Sequence, residues 1–300
     1  MTARLLTTAH GTNRAAFSLA DWGIFLSLVL IWGASFLFIA IGIDHFHPGL
    51  VTLLRIGFGA ATVALVPHAR RTPIERQDWP RIAFLGVIWI ALPLTFFPIA
   101  QQWINSAVAG MLNGAMPIFT ALVATVLLRE LPGRLQSLGL LIGFAGVGAI
   151  SIPAAESGGT ALLGVALVLA ATVCYAISTN IVAPLQQKYG SLAVLARVQW
   201  VAVVFAVPYG LVGLPASEFA WSSLFATAAV GVLGTGLAFV LMGTLSGRVG
   251  PTRASFITYL IPVVALVLGV VFRDEQVAGV AVVGVVLVIA GAFLASRREV

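Results

Sequence analysis

The sequence predicts an all-α integral membrane protein with ten transmembrane helices, arranged as two inverted five-helix repeats with both termini in the cytoplasm. Three observations lead to this fold class: an apolar composition, ten membrane-length apolar runs, and a pattern that recurs after 145 residues. Hydrophobic residues make up 60% of the 300 positions and charged residues 9%, with a mean hydropathy of +1.07. A soluble chain needs more polar surface, and a disordered chain combines low hydrophobicity with high net charge, so both classes are excluded.

Ten apolar runs are long enough to cross a bilayer, whose core of about 30 Å needs roughly 20 helical residues. The connections are short, such as the segments 44–48 and 129–134, which leaves no room for a separate soluble domain. The first run is followed by nine more, so it is not expected to be a cleaved signal peptide. In chain order, spans 1 to 10 are predicted at residues 22–43, 49–67, 82–100, 107–128, 135–153, 161–183, 192–213, 220–244, 254–272 and 277–295.

Positive charge predicts the orientation, because loops rich in Lys and Arg stay in the cytoplasm. With the N-terminus inside, the outer side holds Arg273 alone, and Arg55 and Arg197 remain within spans. The net charge of +6 therefore lies in short loops, a distribution that does not favour a nucleic-acid partner. The cytoplasmic side holds the other thirteen of the sixteen Lys and Arg residues: Arg4, Arg14, Arg70, Arg71, Arg76, Arg81, Arg129, Arg134, Lys188, Arg248, Arg253, Arg297 and Arg298.

The two halves of the chain share a pattern at an offset of 145 residues. Its informative members are Pro117 and Glu130, which align with Pro262 and Glu275, because proline and acidic residues are rare in such apolar sequence. Five spans in each half is an odd number, so the second half enters the membrane from the opposite side, as in the inverted repeats of secondary transporters. This organisation predicts four segments: a cytoplasmic tail at 1–21, the first five-helix repeat at 22–156, the second at 157–296, and a cytoplasmic tail at 297–300.

Several residues in and beside the spans form recognisable motifs. They are Trp32-Gly33-Ala34-Ser35-Phe36 in span 1, Arg55 in span 2, and Pro117 with Arg129-Glu130, which recurs as Pro262 with Asp274-Glu275. With these residues the chain resembles the drug/metabolite transporter superfamily, EamA-type, over about residues 20–296. The second half departs from the Trp-Gly motif and reads Tyr175-Ala176-Ile177-Ser178, so the cavity is expected to be asymmetric.

The resemblance carries expectations about activity. Members of the superfamily are bacterial exporters of amino acids and other small metabolites, and relatives move nucleotide sugars or triose phosphates. The sequence is most similar to the amino-acid and metabolite exporters, including the aromatic amino-acid exporter branch. The resemblance therefore implies a transporter of the bacterial inner membrane and not an enzyme.

Pro117 and Pro262 lie inside spans 4 and 9, and each proline frees the backbone carbonyl four residues earlier. Those carbonyls belong to Asn113 and Thr258. Because a freed carbonyl in hydrocarbon must face protein or a water-filled cavity, the pair predicts a substrate site at the membrane midplane. The alternative is a packing kink whose carbonyl is satisfied by a neighbouring helix.

Other polar and aromatic residues at similar depth favour a small amphipathic solute. Each has a plainer explanation on its own, because Ser and Thr can bond to their own helix and Phe is ordinary packing or lipid-facing material. Together with Asn113 and Thr258 they form the predicted substrate site: Trp32, Ser35, Arg55, Phe96, Tyr175, Ser178, Thr235, Phe239, Phe256 and Tyr259.

Arg55 and Arg197 align with each other at an offset of 142 residues and are the two cations within spans. A charge there is costly and indicates function by default. One interpretation is that the two arginines attract a carboxylate on its way through the membrane. The other is that each side chain, rooted about 10 Å inside, snorkels outward and fastens its helix to loop carbonyls or to an acid.

Carboxylates and histidines are missing from the span interiors: all ten acids lie in loops or at span ends, and the four histidines lie outside the runs. A proton relay is therefore not predicted, and export is expected to be facilitated. Glu130 and Glu275 are expected to form interfacial ion pairs with Arg129 and Arg273. The lone Cys174 excludes a disulfide framework and a Cys-based metal cluster, and no cofactor or metal is expected.

These observations predict a secondary transporter that exports small metabolites, in the first place neutral or aromatic amino acids, by alternating access. The alternatives are a proton-coupled exporter of drugs or other metabolites and a nucleotide-sugar or sugar-phosphate transporter, although the last would need several cations at the midplane. An intramembrane enzyme would need catalytic acids, a Ser–His dyad or a metal cluster, and an ion channel a charge ring or a carbonyl filter. The expected partners are the lipid bilayer and a small solute, and the oligomeric state stays open, a monomer included.

Overall fold

The computed structural model describes residues 17–67, 69, 72–128 and 132–296, and every regular element in these ranges is a helix. Among the residues singled out above, those outside these ranges are Arg4, His10, Arg14, His68, Arg70, Arg71, Arg129, Glu130, Arg297, Arg298 and Glu299. The α-helices are α1 Leu19–Ile43, α2 Pro48–Ala64, α3 Trp79–Leu85, α4 Leu92–Ala100, α5 Ser106–Asn113, α6 Met116–Leu128, α7 Arg134–Ser157, α8 Gly159–Tyr189, α9 Ser191–Gly213, α10 Trp221–Ala229, α11 Ala238–Val249, α12 Pro251–Ala254, α13 Ile257–Arg273 and α14 Gly279–Ala295.

Seven helical stretches are long and apolar enough to cross a membrane by length and composition, and three shorter apolar helices, α2, α13 and α14, have 17 residues each. Each predicted span overlaps one of these ten stretches. The number of membrane crossings stays a prediction. Large apolar side chains such as Val204, Phe225 and Val286 are exposed on the helix surfaces, as expected where the solvent is lipid.

Two π-helical stretches interrupt the α-helical structure. The first π segment, Gly86–Ala91, joins α3 to α4, and the second π segment, Val230–Leu237, joins α10 to α11. Residues 86–91 correspond, at the offset of 145 residues, to residues 231–236 within the second segment. Pro93 has no amide hydrogen for the carbonyl of Trp89, and the glycines of the second segment offer little resistance to a wider turn. Such turns are rare and occur frequently at functional sites.

The helices that contain the two prolines are broken at different places. Helix α5 ends at Asn113 and α6 begins at Met116, so Pro117 lies in the first turn of a new helix, where its missing N–H removes no hydrogen bond. In the second half the turn lies at residues 255–256, and Pro262 is inside α13. The two prolines align in sequence, but their places in the helices differ. The helix break lies directly before Pro117, whereas in the second half it lies at residues 255–256, well before Pro262.

Helices α7 and α14, the last long helix of each half, pack against each other through small residues. A Cβ added at Gly139 would lie 2.4 Å from the backbone nitrogen of Ala295, and one at Gly146 would lie 2.6 Å from that of Val288. Residue numbers rise on α7 as they fall on α14, so the helices are antiparallel. The glycines let the two backbones touch within one chain, a contact we call the glycine seam.

Glycine also brings α2 against the second π segment, which α2 contacts together with α9. A Cβ added at Gly231 would lie 2.8 Å from the carbonyl oxygen of Arg55. One added at Gly59 would lie 2.7 Å from Cγ2 of Thr235. This close approach places the middle of α2 directly beside the second π segment.

Candidate functional site

Arg55 lies in the interior of the protein. Its side chain is buried, with 6% relative exposure, and Nε donates to Oγ1 of Thr235 at 3.0 Å. The terminal nitrogen Nη1 is buried and has no hydrogen-bond partner among the residues that the structure describes. In the described part of the chain, no carboxylate lies within ion-pair distance of this guanidinium. The expectation that Arg55 could snorkel is wrong, because its hydrogen bond points into the bundle.

Thr235 joins Arg55 to a second polar side chain. Its carbonyl oxygen accepts a hydrogen bond of 2.6 Å from Nε2 of Gln199, whose side chain is completely buried. Its hydroxyl, besides accepting from Arg55, donates to the carbonyl of Val230 at 3.2 Å, the residue five positions earlier. The π turn thus holds Thr235 between α2 and α9. The amide oxygen Oε1 of Gln199 is buried and has no hydrogen-bond partner.

Aromatic rings lie beside this polar group. Trp32 donates from Nε1 to the carbonyl of Gly234 at 3.0 Å, next to Thr235 in the chain. Its ring meets that of Phe239 edge-on at 5.8 Å, and Phe239 meets Trp89 edge-on at 5.6 Å. Edge-to-face pairs of this kind hold aromatic rings in defined positions. Trp32 is therefore fixed at both its polar edge and its apolar face.

A second group of rings includes Tyr175. Tyr175 stacks on Phe97 at 6.3 Å between ring centroids, and Phe97 meets Phe36 edge-on at 5.5 Å. The Tyr175 hydroxyl lies within electrostatic range of the Arg55 guanidinium. We call Arg55, Thr235, Gln199, Tyr175 and Trp32 the Arg55 cluster.

The chemistry of the Arg55 cluster is that of recognition. It combines one cation, an amide, two hydroxyls and aromatic faces, and two of its buried polar atoms have no hydrogen-bond partner among the described residues. Within the described ranges, no three His, Cys, Asp or Glu side chains are grouped as they would be around a metal ion. A buried unpartnered donor and acceptor, flanked by rings, suit a small polar solute with an apolar part.

Several residues predicted for the site have contacts elsewhere. Thr258 donates to the carbonyl of Ser255 at 2.7 Å, just past the turn that precedes α13. Tyr259 donates to the carbonyl of Ala292 on α14 at 3.3 Å and is paired with Phe256 at 5.9 Å between centroids. Tyr259 therefore faces α14, and no contact among the described residues joins Thr258, Tyr259 or Phe256 to the Arg55 cluster.

The remaining predicted residues are satisfied locally or lie at the margin. Ser35 and Ser178 are buried, but their hydroxyls donate to the carbonyls of Ile31 and Cys174 in their own helices. Asn113 is the last residue of α5, and Phe96 is half-buried. Both serines therefore bond to their own helix, which is the alternative to a binding role that the sequence offered.

Sequence reasoning missed Gln199, Trp89 and Phe97. Gln199 carries a signal that could have been used: an amide in the middle of an apolar run, two residues after the arginine that drew attention. Phe97 and Trp89 had no such signal, because neighbouring aromatic residues in an apolar helix look alike until the helix faces are known. The faces of α4 and of the first π segment depend on the widened turn, which shifts the helical register.

Arg197 has the structural role that the sequence offered as an alternative. Its guanidinium donates to the carbonyls of Ala69 and Thr72, with the bond from Nη2 to Thr72 measuring 3.0 Å. It fastens α9 to the loop that follows α2. The two aligned arginines therefore differ: Arg55 faces the interior, and Arg197 holds a loop.

Glu275 does not form the ion pair that was expected with Arg273. Its carboxylate instead accepts hydrogen bonds from the backbone nitrogens of Ser106 and Ala107, at 2.9 and 2.8 Å, at the start of α5. These amides have no partner within their helix and attract a negative charge. Arg273 pairs with Asp44 at 2.6 Å, which joins the ends of α13 and α1.

Ion pairs also join helices at the opposite end of the bundle. Asp21 near the start of α1 pairs with Arg248 at the end of α11, with 2.5 Å between Oδ1 and Nε. Lys188 lies 2.8 Å from Glu75, and its ammonium holds the pKa of that carboxyl below its usual range, helped by Gln77. These contacts link the ends of the helices, and none of the described carboxylates pairs with Arg55.

Comparisons with known proteins identify a matching family model and several similar transporters. A family model described as the EamA-like transporter family matches residues 21–152 and again residues 162–297. The chain is 29% identical to a protein of Streptantibioticus cattleyicolor described as a probable terminal-alkyne amino-acid exporter, over 94% of each chain. It is 24% identical to a probable amino-acid metabolite efflux pump of Salmonella typhimurium, covering 91% of this chain and 94% of that protein.

Two further matches extend over nearly the whole chain. An uncharacterized transporter of Archaeoglobus fulgidus is 24% identical, covering 93% of this chain and 99% of that protein. A solved crystal structure with 20% sequence identity superposes with a TM-score of 0.61, covering 92% of this chain and 96% of the other. At that identity the crystal structure shows a shared fold.

Proposed function

The chain belongs to the EamA-like transporter family, and from this premise we propose that it exports small metabolites, in the first place neutral or aromatic amino acids, across the bacterial inner membrane. Members of this family are transporters and not enzymes. Two relatives carry names that refer to amino-acid export, at 29% and 24% identity. Identity at this level supports the class of solute and leaves the individual compound to experiment.

The observation that carries the proposal is the open position on Arg55. A cation without a counter-ion inside a helical bundle costs several kcal/mol, so an interior arginine is expected to have a functional partner. A solute carboxylate supplies that partner when it binds. The neighbouring faces of Trp32, Tyr175 and Phe239 would then contact the apolar part of the solute.

We base the binding site on the Arg55 cluster with Phe239. The other residues chosen from the sequence, Asn113, Thr258, Phe256 and Tyr259 among them, stay predictions. A phosphorylated sugar fits the cluster less well, because its two or more negative charges would meet a single interior cation.

Alternating access between two inverted five-helix repeats, at 22–156 and 157–296, is the proposed mechanism. Three findings support it. The family model matches each half once, at 21–152 and 162–297. The two π segments correspond at the offset of 145 residues, and α7 and α14 are antiparallel as inverted repeats require. In this mechanism one half rocks against the other around the Arg55 cluster.

We propose that export is facilitated and is not coupled to proton movement. The described acids lie in loops or within the first or last residues of helices: Asp21, Asp44, Glu75, Asp78, Glu156, Glu218, Asp274 and Glu275. A carrier coupled to protons generally keeps a titratable carboxylate or His along its path. We also propose that both termini are cytoplasmic, in line with the positive charge of the loops on that side.

Uptake by sealed vesicles containing the purified protein tests the proposal. Labelled neutral and aromatic amino acids and sugar phosphates are offered with and without an imposed pH gradient. We expect saturable uptake of amino acids that does not depend on the gradient, and at least a tenfold loss in Arg55→Gln. Arg81→Gln is the control, since its side chain is 63% exposed and is expected to leave uptake unchanged.

Three results would contradict parts of the proposal. Uptake of sugar phosphates alone would overturn the class of solute. Facilitated export would be overturned if the protein accumulates solute against its concentration gradient and a protonophore abolishes this accumulation while the internal substrate concentration is unchanged. Equal uptake by wild type and Arg55→Gln would overturn the role of Arg55.

A further inference from the structure

We infer that the protein recognises an α-amino acid at both of its charged groups, with the carboxylate on Arg55 and the ammonium on Gln199. The inference rests on the proposed function and adds a second recognition group to it. Gln199 becomes the residue that distinguishes an amino acid from a carboxylic acid of the same size. Its Oε1 and the Nη1 of Arg55 are the two atoms of the Arg55 cluster that are buried without partners.

The open atom of Arg55 defines one pole of the solute. A guanidinium nitrogen donates and does not accept, so the complementary atom must be an acceptor. Because Arg55 has no carboxylate within ion-pair distance in the described part of the chain, a negatively charged acceptor also compensates its charge. A carboxylate meets both requirements and suits the planar guanidinium.

The open atom of Gln199 defines the opposite pole. The amide orientation is fixed chemically, because the carbonyl of Thr235 accepts and only Nε2 can donate to it, at 2.6 Å. Oε1 is therefore the atom that is left, and it accepts and does not donate. A buried acceptor of this kind is costly when unpaired, so a donor from the solute is favoured. An ammonium offers three N–H donors.

Thr235 sets the spacing between the two poles. Arg55 is bonded to its hydroxyl and Gln199 to its carbonyl, so both open atoms are anchored to one residue. A solute that carries an anionic acceptor and a cationic donor on one carbon atom, as an α-amino acid does, presents both partners close together. A phosphate offers acceptors and negative charge to both, and its oxygens would face the lone pairs of Oε1.

Three probes of similar size separate the two poles: L-phenylalanine, 3-phenylpropanoate, which lacks the ammonium, and 2-phenylethylamine, which lacks the carboxylate. Their KM values are measured in vesicles with the full-length wild type and with Gln199→Leu. We expect the wild type to prefer L-phenylalanine to 3-phenylpropanoate by roughly tenfold or more, the effect of one hydrogen bond to a charged group. In Gln199→Leu this preference should fall to roughly twofold or less.

Gln101→Leu is the matched control, because Gln101 is a second buried glutamine whose amide atoms have no partners. It lies at the end of α4, outside the Arg55 cluster. Its substitution should leave the preference for L-phenylalanine unchanged. A purely structural effect of losing a buried amide would appear in both variants.

The outcomes distinguish this inference from the proposed function. If Gln199→Leu transports amino acids and keeps the full preference, a bridging water and not the solute occupies Oε1, and the inference is overturned while amino-acid export stands. If wild type transports none of the amino acids but does transport other solutes, the proposed function fails first. If Gln199→Leu does not fold, competition at wild type decides: 3-phenylpropanoate that inhibits uptake as well as L-phenylalanine would overturn the inference.

Discussion

The Nε of Arg55 lies 3.0 Å from the hydroxyl oxygen of Thr235, and this hydrogen bond joins α2 to the second π segment. The contact depends on a hydroxyl that also donates to the carbonyl five residues earlier in its own chain. The conformation of the widened turn and the position of the interior cation are thus linked through one side chain.

Thr235→Val should weaken solute binding, and Thr235→Ser should not. Valine has nearly the shape of threonine but no hydroxyl, so Arg55 loses an acceptor, and a hydrogen bond to a charged group contributes about 1.5–3 kcal/mol. We expect KM for L-phenylalanine to rise roughly tenfold in the valine variant. The measurement is initial uptake rate against concentration in vesicles. A serine variant as poor as the valine variant would show that the methyl group and not the hydroxyl matters.

Arg197→Ala should lower stability and leave solute affinity unchanged. The guanidinium bonds to the carbonyls of Ala69 and Thr72, so its loss detaches a loop and not the interior site. We expect thermal unfolding in detergent to reflect a loss of about 1–3 kcal/mol, with KM within twofold of wild type. Arg55→Gln should instead raise KM and leave thermal unfolding nearly unchanged. A large KM change in Arg197→Ala contradicts the separation of the two roles.

Gly146→Ala should destabilise the protein, and Gly148→Ala should not. A methyl group at Gly146 would lie 2.6 Å from a backbone nitrogen of α14, whereas nothing lies within 4 Å of one at Gly148. Overpacking a close contact costs about 1–3 kcal/mol, while alanine in place of an unconstrained helical glycine gains about 0.5–1 kcal/mol. Thermal unfolding of both variants is the test. Equal unfolding temperatures would mean that the glycine seam does not exist in the membrane.

Glu275→Ala should destabilise the start of α5 more than Glu275→Gln does. The carboxylate accepts from the amides of Ser106 and Ala107, and loss of such a cap costs about 0.5–2 kcal/mol. Glutamine keeps one acceptor oxygen and loses the charge. Hydrogen exchange at residues 106–110 measures the effect, with Glu156→Ala, exposed at the end of α7, as the control. Unchanged exchange in Glu275→Ala would rule out the cap.

The sequence predicted the helical class and a cation inside span 2, because composition and an interior charge are readable without coordinates. It did not predict which way the arginine points. Arg55 and Arg197 look equivalent in the repeat, and only packing separates them: glycines at 59 and 231 let α2 approach the second π segment, whereas Arg197 lies beside loop carbonyls. The direction of a long side chain depends on such neighbours.

The sequence gives the depth of a residue in a span and not the direction of its side chain, so it predicted only some of the residues around Arg55. Trp32, Tyr175, Thr235 and Phe239 were chosen by depth; in the structure Thr235 bonds to Arg55, Trp32 bonds to the carbonyl of Gly234, and Phe239 packs on Trp32. Depth alone also selected Tyr259, which faces α14 instead. Helices rich in Ala and Val on every face give no periodicity from which the inward side can be read, and the π turns shift the register further.

The glycine seam between α7 and α14 implies where an opening motion can occur. Backbones in direct contact lose much of their attraction when separated by even a small gap, so the two helices are expected to stay together throughout a transport cycle. In the rocking motion proposed above, the α7–α14 edge would therefore keep the two halves attached, and solute would enter and leave where other helices of the bundle separate.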